Sequence, residues 1–484
     1  MHSSLESTPT LGNSSFDRSQ IRRLINDSES SILSIDSQIG DLHSQIRDLQ
    51  CLRAKEHTRI MLLMAPVHAL PAELLVEIFR FSLAVHPIMV PRPKRIIPLT
   101  QVCHYWRQVA HSTPRFWVKC EALLNATPSD TYVAGMKAWL EYSAQLPLSV
   151  SLKSQSMDTD LTVVLNTLLP FAPRIASLHL WLPFYSAIDP LFANPLHSLE
   201  ELSLGAGVSQ GRQIDLRTIA PRLRTFVTYG DYPRIFAMPW SQLTSIDYGD
   251  TPGNCLDVLL KCHTLEEASF RTWCWDFDDL PHQPAVSLLH LRVLNLSIDY
   301  DDPVGQIIPF FRPLALPALT SLQLSMAELS WPSEEFSRFL LRAPNIQSFD
   351  LNCCKIDSEG LITALRSCPA LKSLQLTCCP HCIDDNLLRA LRYRESDTDP
   401  LVPLLENLQW FDIDKNFDES SLVDMIRSRW WPLGSVPFPN VARLKKVTVN
   451  CGDPHLSQEF RARIQDCVDG GLVYSERYSL DLFP

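Results

Sequence analysis

Residues 343–354, APNIQSFDLNCC, and residues 368–379, CPALKSLQLTCC, are one phrase written twice. A small residue and Pro lead in, and an apolar residue then recurs as L-x-x-L-x-L: Ile346, Phe349 and Leu351 in the first, Leu371, Leu374 and Leu376 in the second. The last two apolar positions alternate with polar ones, which is the signature of a strand with one buried face. The same template opens at Ile175, Leu199, Leu223, Leu243, Leu265, Leu291 and Leu319, and again at Leu408 and Leu444. Successive starts fall 20 to 28 residues apart until the last two, which are 37 and 36 residues from their predecessors and so carry insertions.

Template and period are similar to those of leucine-rich repeats, whose units stack a strand and an outer connecting segment into a curved solenoid. Helical patterns at Glu335–Leu341 and Gly360–Arg366 supply that outer layer. The alternating Leu148-Ser-Val150-Ser-Leu152 starts the sheet as a cap, and Gly470-Gly471-Leu-Val-Tyr closes its far end. The lead-in prolines account for much of an unusual excess, 36 Pro against 15 Gly. In such strands the x positions form the concave face. Those singled out as substrate-binding are His179, Trp181, Tyr229 and Arg271 toward the start, then Asp350, Trp410, Asp412 and Asp414 toward the end. An aromatic group followed by an acidic one suits a peptide or protein partner with an apolar anchor and a basic stretch.

Upstream, the chain changes character. Ile21, Ile25, Ile32, Ile35, Ile39, Leu42, Ile46 and Leu49 recur at spacings of three and four with Ser28 in the gap, an a/d seam that continues through Arg53 and Glu56 to Ile60 and Leu63. The helix it predicts starts after Asp17, ends before Pro66 and is about 70 Å long. It either pairs with a second chain or lies as a solitary amphipathic helix.

Between helix and repeats, residues 66–120 carry +5 inside a protein whose net charge is −11, the part beyond 120 carrying −15. Leu70, Leu74, Leu75, Ile78 and Phe79 form one apolar stripe behind Pro71. Leu99, Val102, Cys103 and Trp106 belong to a second helix, LTQVCHYWRQVA, and Trp117 follows it. About 50 residues cannot bury two such stripes alone. LPAELLVEIF at 70–79 and LTQVCHYWRQVAHSTPRFW at 99–117 resemble an F-box, with AVHPIMVPRPKRIIP at 84–98 as an insertion. The heptad helix before it, and AWLEYS at 138–143 leading to Leu146-Pro147-Leu148 after it, are similar to F-box proteins expanded in mushroom-type fungi. That resemblance implies docking on the Skp-type adaptor of a cullin-RING ubiquitin ligase through Leu70, Pro71, Leu74, Leu75, Ile78, Phe79, Leu99, Val102, Cys103, Trp106 and Trp117.

The expected fold class is therefore α/β: a leader at 1–16, a coiled-coil helix at 17–65, a helical F-box at 66–120, a linker helix and capping strand at 121–153, and a leucine-rich-repeat solenoid with a C-terminal cap at 154–484. The expected function is a non-catalytic substrate receptor, the alternative a leucine-rich-repeat scaffold with no ligase role. Partners would be the adaptor, an unknown protein substrate and, through residues 17–65, another copy. The acidic balance argues against nucleic acid, and no stretch is apolar enough to span a membrane, which leaves cytoplasm or nucleus as the expected location. No cofactor, catalytic residue or metal is expected. Cys379-Pro-His-Cys382 has redox or zinc spacing, but Cys354 and Cys379 sit at the ninth template position, where a repeat uses Asn or Cys to satisfy its turn. The glycines at 205, 207 and 211 are read as a turn. The acidic clusters at 276–279 and 299–302 are read as solvated.

Overall fold

The structure is a computed structural model; it describes residues 18–64, 70–84, 93–124, 128–154, 161–183, 188–205, 213–229, 236–272, 285–298, 308–326, 331–431, 441–451 and 455–476. The leader, Pro66, residues 85–92 of the expected insertion, the glycines at 207 and 211 and both acidic clusters lie outside these. By contacts, residues 18–84 with 101–109 form one unit, and 93–100 with 110–476 another.

The first unit is helical. Helix α1 runs Arg18–Met64, as the heptads predict. Its seam residues are solvent-facing within the chain, from Ile21 at 44% exposed to Leu49 at 64%. Helix α2 is Ala72–Ala84, its first turn closed by the Leu75 amide donating to the Pro71 carbonyl (3.1 Å). The expected continuous second helix is two, each shared between the units: α3, Pro93–Val102, and α4, His104–His111. The break falls at Cys103, whose sulfur accepts the Trp106 amide (3.4 Å) in the manner of an N-cap. The end of the sequence-predicted insertion is thus helical, with Pro98 inside α3.

Among its described residues the second unit is a mixed helix and strand region that, beside two short two-stranded sheets, is built around a parallel sheet of 14 strands in chain order. They are β1 Lys119–Leu123, β2 Leu148–Lys153, β3 Ile175–Trp181, β4 Glu201–Leu204, β5 Thr225–Thr228, β6 Ser245–Asp250, β7 Glu267–Thr272, β8 Val293–Ile298, β9 Ser321–Met326, β10 Ser348–Asn352, β11 Ser373–Thr377, β12 Asn407–Ile413, β13 Lys446–Cys451 and β14 Val473–Ser475. The sheet starts one strand earlier than the expected cap at Leu148, with β1 paired to β2, and β14 closes the far edge as predicted. Template residues stack on their equivalents: Leu322 pairs with Leu294 and Phe349, Leu324 with Leu296 and Leu351. All six are at most 1% exposed.

An amide-to-carbonyl chain at the strand entries from β4 onward runs Glu200 to Ala176, Arg224 to Glu200, and on through Glu406 to Lys372 and Lys445 to Glu406. Glu406 is the entry residue of β12, so that strand's template is Leu405, Leu408, Trp410. Leu408 pairs with Leu374 and Trp410 with Leu376. The reading that opened at Leu408 and put Trp410 on the open face was out of frame, because Trp410 is fully buried. Its cause is a one-residue bulge: three steps from Trp410 to Ile413 oppose two from Val449 to Cys451. Asp412, in the bulge, has φ +49°.

Between strands lie α5 Asp130–Tyr142, α6 Thr162–Leu168, α7 Asp189–Phe192, α8 Leu216–Ile219, α9 Pro252–Lys261, α10 Ile308–Phe311, α11 Ser333–Leu340, α12 Ser358–Arg366, α13 Asp385–Leu391, α14 Glu419–Ser428 and α15 Gln458–Asp469. The last four begin at equivalent caps, where Asp357, Asp384, Asp418 and Ser457 accept amides of the first turn. Arg429, at the end of α14, is fully buried and donates to the carbonyls of Leu391, Leu401 and Val402, pinning the insertion before β12.

The Cys354 thiol donates to the Leu324 and Asn352 carbonyls (3.7 and 3.4 Å), and that of Cys379 to Leu351 and Thr377 (3.6 and 3.3 Å). Burial pushes the Cys354 thiol up, which keeps it protonated for this turn-satisfying role. Among the described residues no group of three or more His, Cys, Asp or Glu is placed to hold a metal, and no helix is long and apolar enough to cross a membrane.

Candidate functional site

Two surfaces carry the sequence-predicted residues, one in each unit. On α2 the apolar stripe divides. Leu75 and Phe79 are fully buried, and the Phe79 ring lies 4.9 Å from Trp106 across the helical pair. These two hold the pair together and have no surface to offer an adaptor. Leu74 (52% exposed), Ile78 (44%) and Phe81 (59%) point the other way at i, i+4 and i+7. Phe81 was not among the predicted residues; its position on that helical face was the available signal. It lies under the Arg80 guanidinium at 4.7 Å, while Arg80 pairs with Glu77 at 2.7 Å. Pro71 and Val102 are exposed, Leu70, Cys103 and Trp106 half-buried, and the Tyr105 hydroxyl donates to the Leu70 carbonyl (3.2 Å).

In the second unit Leu99 is half-buried. Trp117 is 4% exposed, against Trp139 at 4.6 Å and His111 at 5.4 Å, with its indole N–H donating to the Ala110 carbonyl (2.7 Å). It is a core residue of its own unit, which corrects the expectation that it meets an adaptor.

On the sheet face whose side chains alternate with the buried leucines, a single row crosses β2 to β7. Trp181, at the end of β3, and Tyr229, just past β5 with β4 between them, stack with centroids 4.6 Å apart and planes at 29°. They reach each other because Gly205 lies between: a Cβ there would come within 2.9 Å of the Trp181 ring. Lys153 Nζ sits 5.5 Å from the centre of Trp181, and the Arg271 guanidinium 5.3 Å from that of Tyr229. Arg271 is held by Asp247 (3.0 Å) and the Thr228 carbonyl. Burial raises the Asp247 carboxyl, and the cation beside it pulls it partly back. Lys153 was missed because its strand was read only as a cap, yet its place after two alternating apolar residues is the same as Trp181's.

His179 neighbours this row. Its Nε2 is 2.8 Å from Ser177 Oγ, which donates to Glu201 Oε2 (2.8 Å). Serine, not histidine, holds the carboxylate, so the trio has the wrong order for an activated nucleophile. Farther along, Asp350 is half-buried, with Oδ1 enclosed and without a hydrogen-bond partner among the described residues. Burial, then Cys379, pushes its carboxyl up to about 6. Asp412 and Asp414 are exposed. The aromatic row and these acids are parts of one sheet face, but Trp410 does not join them.

Residues 67–120 match the F-box-like family. No curated protein matches the chain. The F-box-like segment contains α2, α3, α4 and the start of β1, and among its described residues the exposed large apolar side chains are those on the outward face of α2 together with Ile97 and Val102.

Proposed function

We propose that the chain is a non-catalytic substrate receptor of an SCF-type cullin-RING ubiquitin ligase, working in the cytoplasm, the nucleus or both. The observation that carries this reading is the outward apolar stripe of α2, Leu74 and Ile78, on a segment that matches the F-box-like family. F-box segments are typically adaptor modules without catalytic groups, and they generally bind Skp-type adaptors. Pro71, Val102 and the half-buried Leu70, Cys103 and Trp106 would complete the contact. The sheet region is read as a leucine-rich-repeat solenoid. Its open face would hold a protein substrate, apolar side chains meeting the edges of Trp181 and Tyr229 and cationic ones meeting Asp350, Asp412 and Asp414. The exposed seam of α1 supports self-association. Ubiquitin would be transferred by other subunits, the receptor contributing proximity.

Co-purification with the adaptor tests the reading. Finishing the burial of two half-exposed Leu/Ile side chains is worth about 1 kcal/mol each, and a buried carboxylate in their place costs more. Leu74→Asp with Ile78→Asp should thus weaken adaptor capture by about 100-fold or more while the melting temperature holds. Phe79→Ala should instead lower stability, by about 3 to 5 kcal/mol. Wild-type capture by the double variant would leave the scaffold reading, without a ligase role, in its place.

A further inference from the structure

Beyond the open sheet face, a cleft of about 310 Å³ without an assigned role lies between the C-terminal ends of α12 and α13 and the insertion that follows α13. The insertion is a fixed wall. Arg429 holds the Leu401 and Val402 carbonyls from below, the Tyr393 amide donates to Ser428 Oγ (3.0 Å), and the Arg394 amide donates to Asp397 Oδ2 (3.0 Å).

The cleft's charge is opposite to that of its surroundings. Four arginines line it, Arg366, Arg389, Arg392 and Arg394, against Asp397 and Asp399, in a stretch of chain that is strongly acidic overall. Arg392 is paired with Asp424 at 3.0 Å. Arg366, Arg389 and Arg394 have no carboxylate within ion-pair distance among the described residues, and Arg389 spends one N–H on the Asp385 carbonyl. A cation in the last turn of a helix is ordinary, which would account for Arg366 and Arg389 alone. Arg394 lies beyond α13, in the insertion that lines the same opening, and no helix end calls for it. Apolar Ile362, Leu365 and Pro369 line the cleft among these guanidinium groups.

We infer that this cleft binds an anionic peptide segment, its oxyanion groups paired by Arg366, Arg389 and Arg394 and a neighbouring apolar side chain set against Ile362 and Leu365. Guanidinium forks take carboxylate and phosphoryl oxygens with the same bidentate geometry. The shared chemistry is therefore the oxyanion, borne by glutamate or aspartate side chains or by a phosphorylated residue. The inference does not rest on the ligase reading, because the cleft lies outside the F-box-like segment.

Fluorescence anisotropy with the full chain tests it, using three labelled nonapeptides that share a central leucine: one rich in Glu, one with phosphoserine replacing Glu, one with Gln. At least one anionic peptide should bind saturably, with the Gln peptide at least tenfold weaker and the difference shrinking as salt rises. The tighter of the two anionic peptides identifies the group. Arg366→Gln with Arg389→Gln, both exposed and free of packing duties, should weaken that binding at least tenfold, while the distant pair Arg222→Gln with Arg224→Gln should bind as wild type does. Equal binding of the Gln peptide, wild-type binding by the Arg366/Arg389 variant, or no saturable binding of either anionic peptide would overturn the inference.

Discussion

Replacing Arg429 with Met removes a cation from a site with no solvent exposure and leaves the carbonyls of Leu391, Leu401 and Val402 without their donor. Burial draws the guanidinium from its ordinary value down to about 10. That difference puts the cost of enclosing the charge at about 3 kcal/mol, which Met would recover. Three hydrogen bonds from a charged donor return about 1.5 to 3 kcal/mol each, and all are lost. The net expectation is a destabilisation of about 1.5 to 6 kcal/mol, concentrated where the three acceptors lie. Hydrogen exchange read by mass spectrometry should show amides of 392–404 losing protection by about 100-fold, the factor that corresponds to about 3 kcal/mol, while β3 to β9 keep theirs. Arg429→Lys should do nearly as badly, since one ammonium cannot present the planar fork that reaches three carbonyls. Both variants should also weaken the anionic peptide. Protection at 392–404 within threefold of wild type would refute the reasoning, because the insertion would then be held by something other than Arg429.

Asp350 predicts a pH dependence. Its carboxyl is raised by burial from 3.8 to about 6, so the folded chain holds the proton more tightly than the unfolded one, and stability falls as pH rises from about 4 to about 6. Asp350→Asn should stabilise the chain at pH 7.5 by about 1 to 2 kcal/mol, after allowing for solvent screening on a half-buried face, and much less at pH 4. An equal gain in melting temperature at both values would rule out Asp350 as the titrating group. For α1, Ile39→Lys with Ile46→Lys places charge at two seam positions. Light scattering should then report the mass of one chain where wild type reports a multiple of it; identical masses would leave α1 solitary.

The sheet was legible because its template repeats: ten of eleven occurrences align with the strands in the frame read, and each apolar position lies against its counterpart in the next unit. The eleventh shows what a pattern cannot resolve. Leu405, Leu408, Trp410, Phe411 and Ile413 satisfy L-x-x-L-x-L in two frames, and only the hydrogen-bonded entry at Glu406 and the bulge at Asp412 decide between them. On α2 the periodicity identified an apolar helix but could not say that it has two apolar faces. Leu75 and Phe79 pack inward while Leu74 and Ile78, one position earlier, face out. The cleft beside α13 was invisible for a different reason. Its arginines come from two helices and an insertion, and their common opening exists only once Arg429 has fixed the wall.

The row from Lys153 to Arg271 has consequences for how such a chain can change its length. Side chains on that face read Lys153, Trp181, Gly205, Tyr229, Gly249 and Arg271, so bulky groups and bare backbone are set in a particular succession of strands. Loss or duplication of one unit there would put a large group where Trp181 now leans across Gly205, or strand a ring from its cation. Between β8 and β11 the corresponding residues are Ser297, Ser325, Asn352 and Thr377, small or compact in every unit. Recombination that adds or removes a unit is thus expected to survive in that stretch and to be purged from the earlier one, leaving the two halves of a single sheet to diverge under different rules.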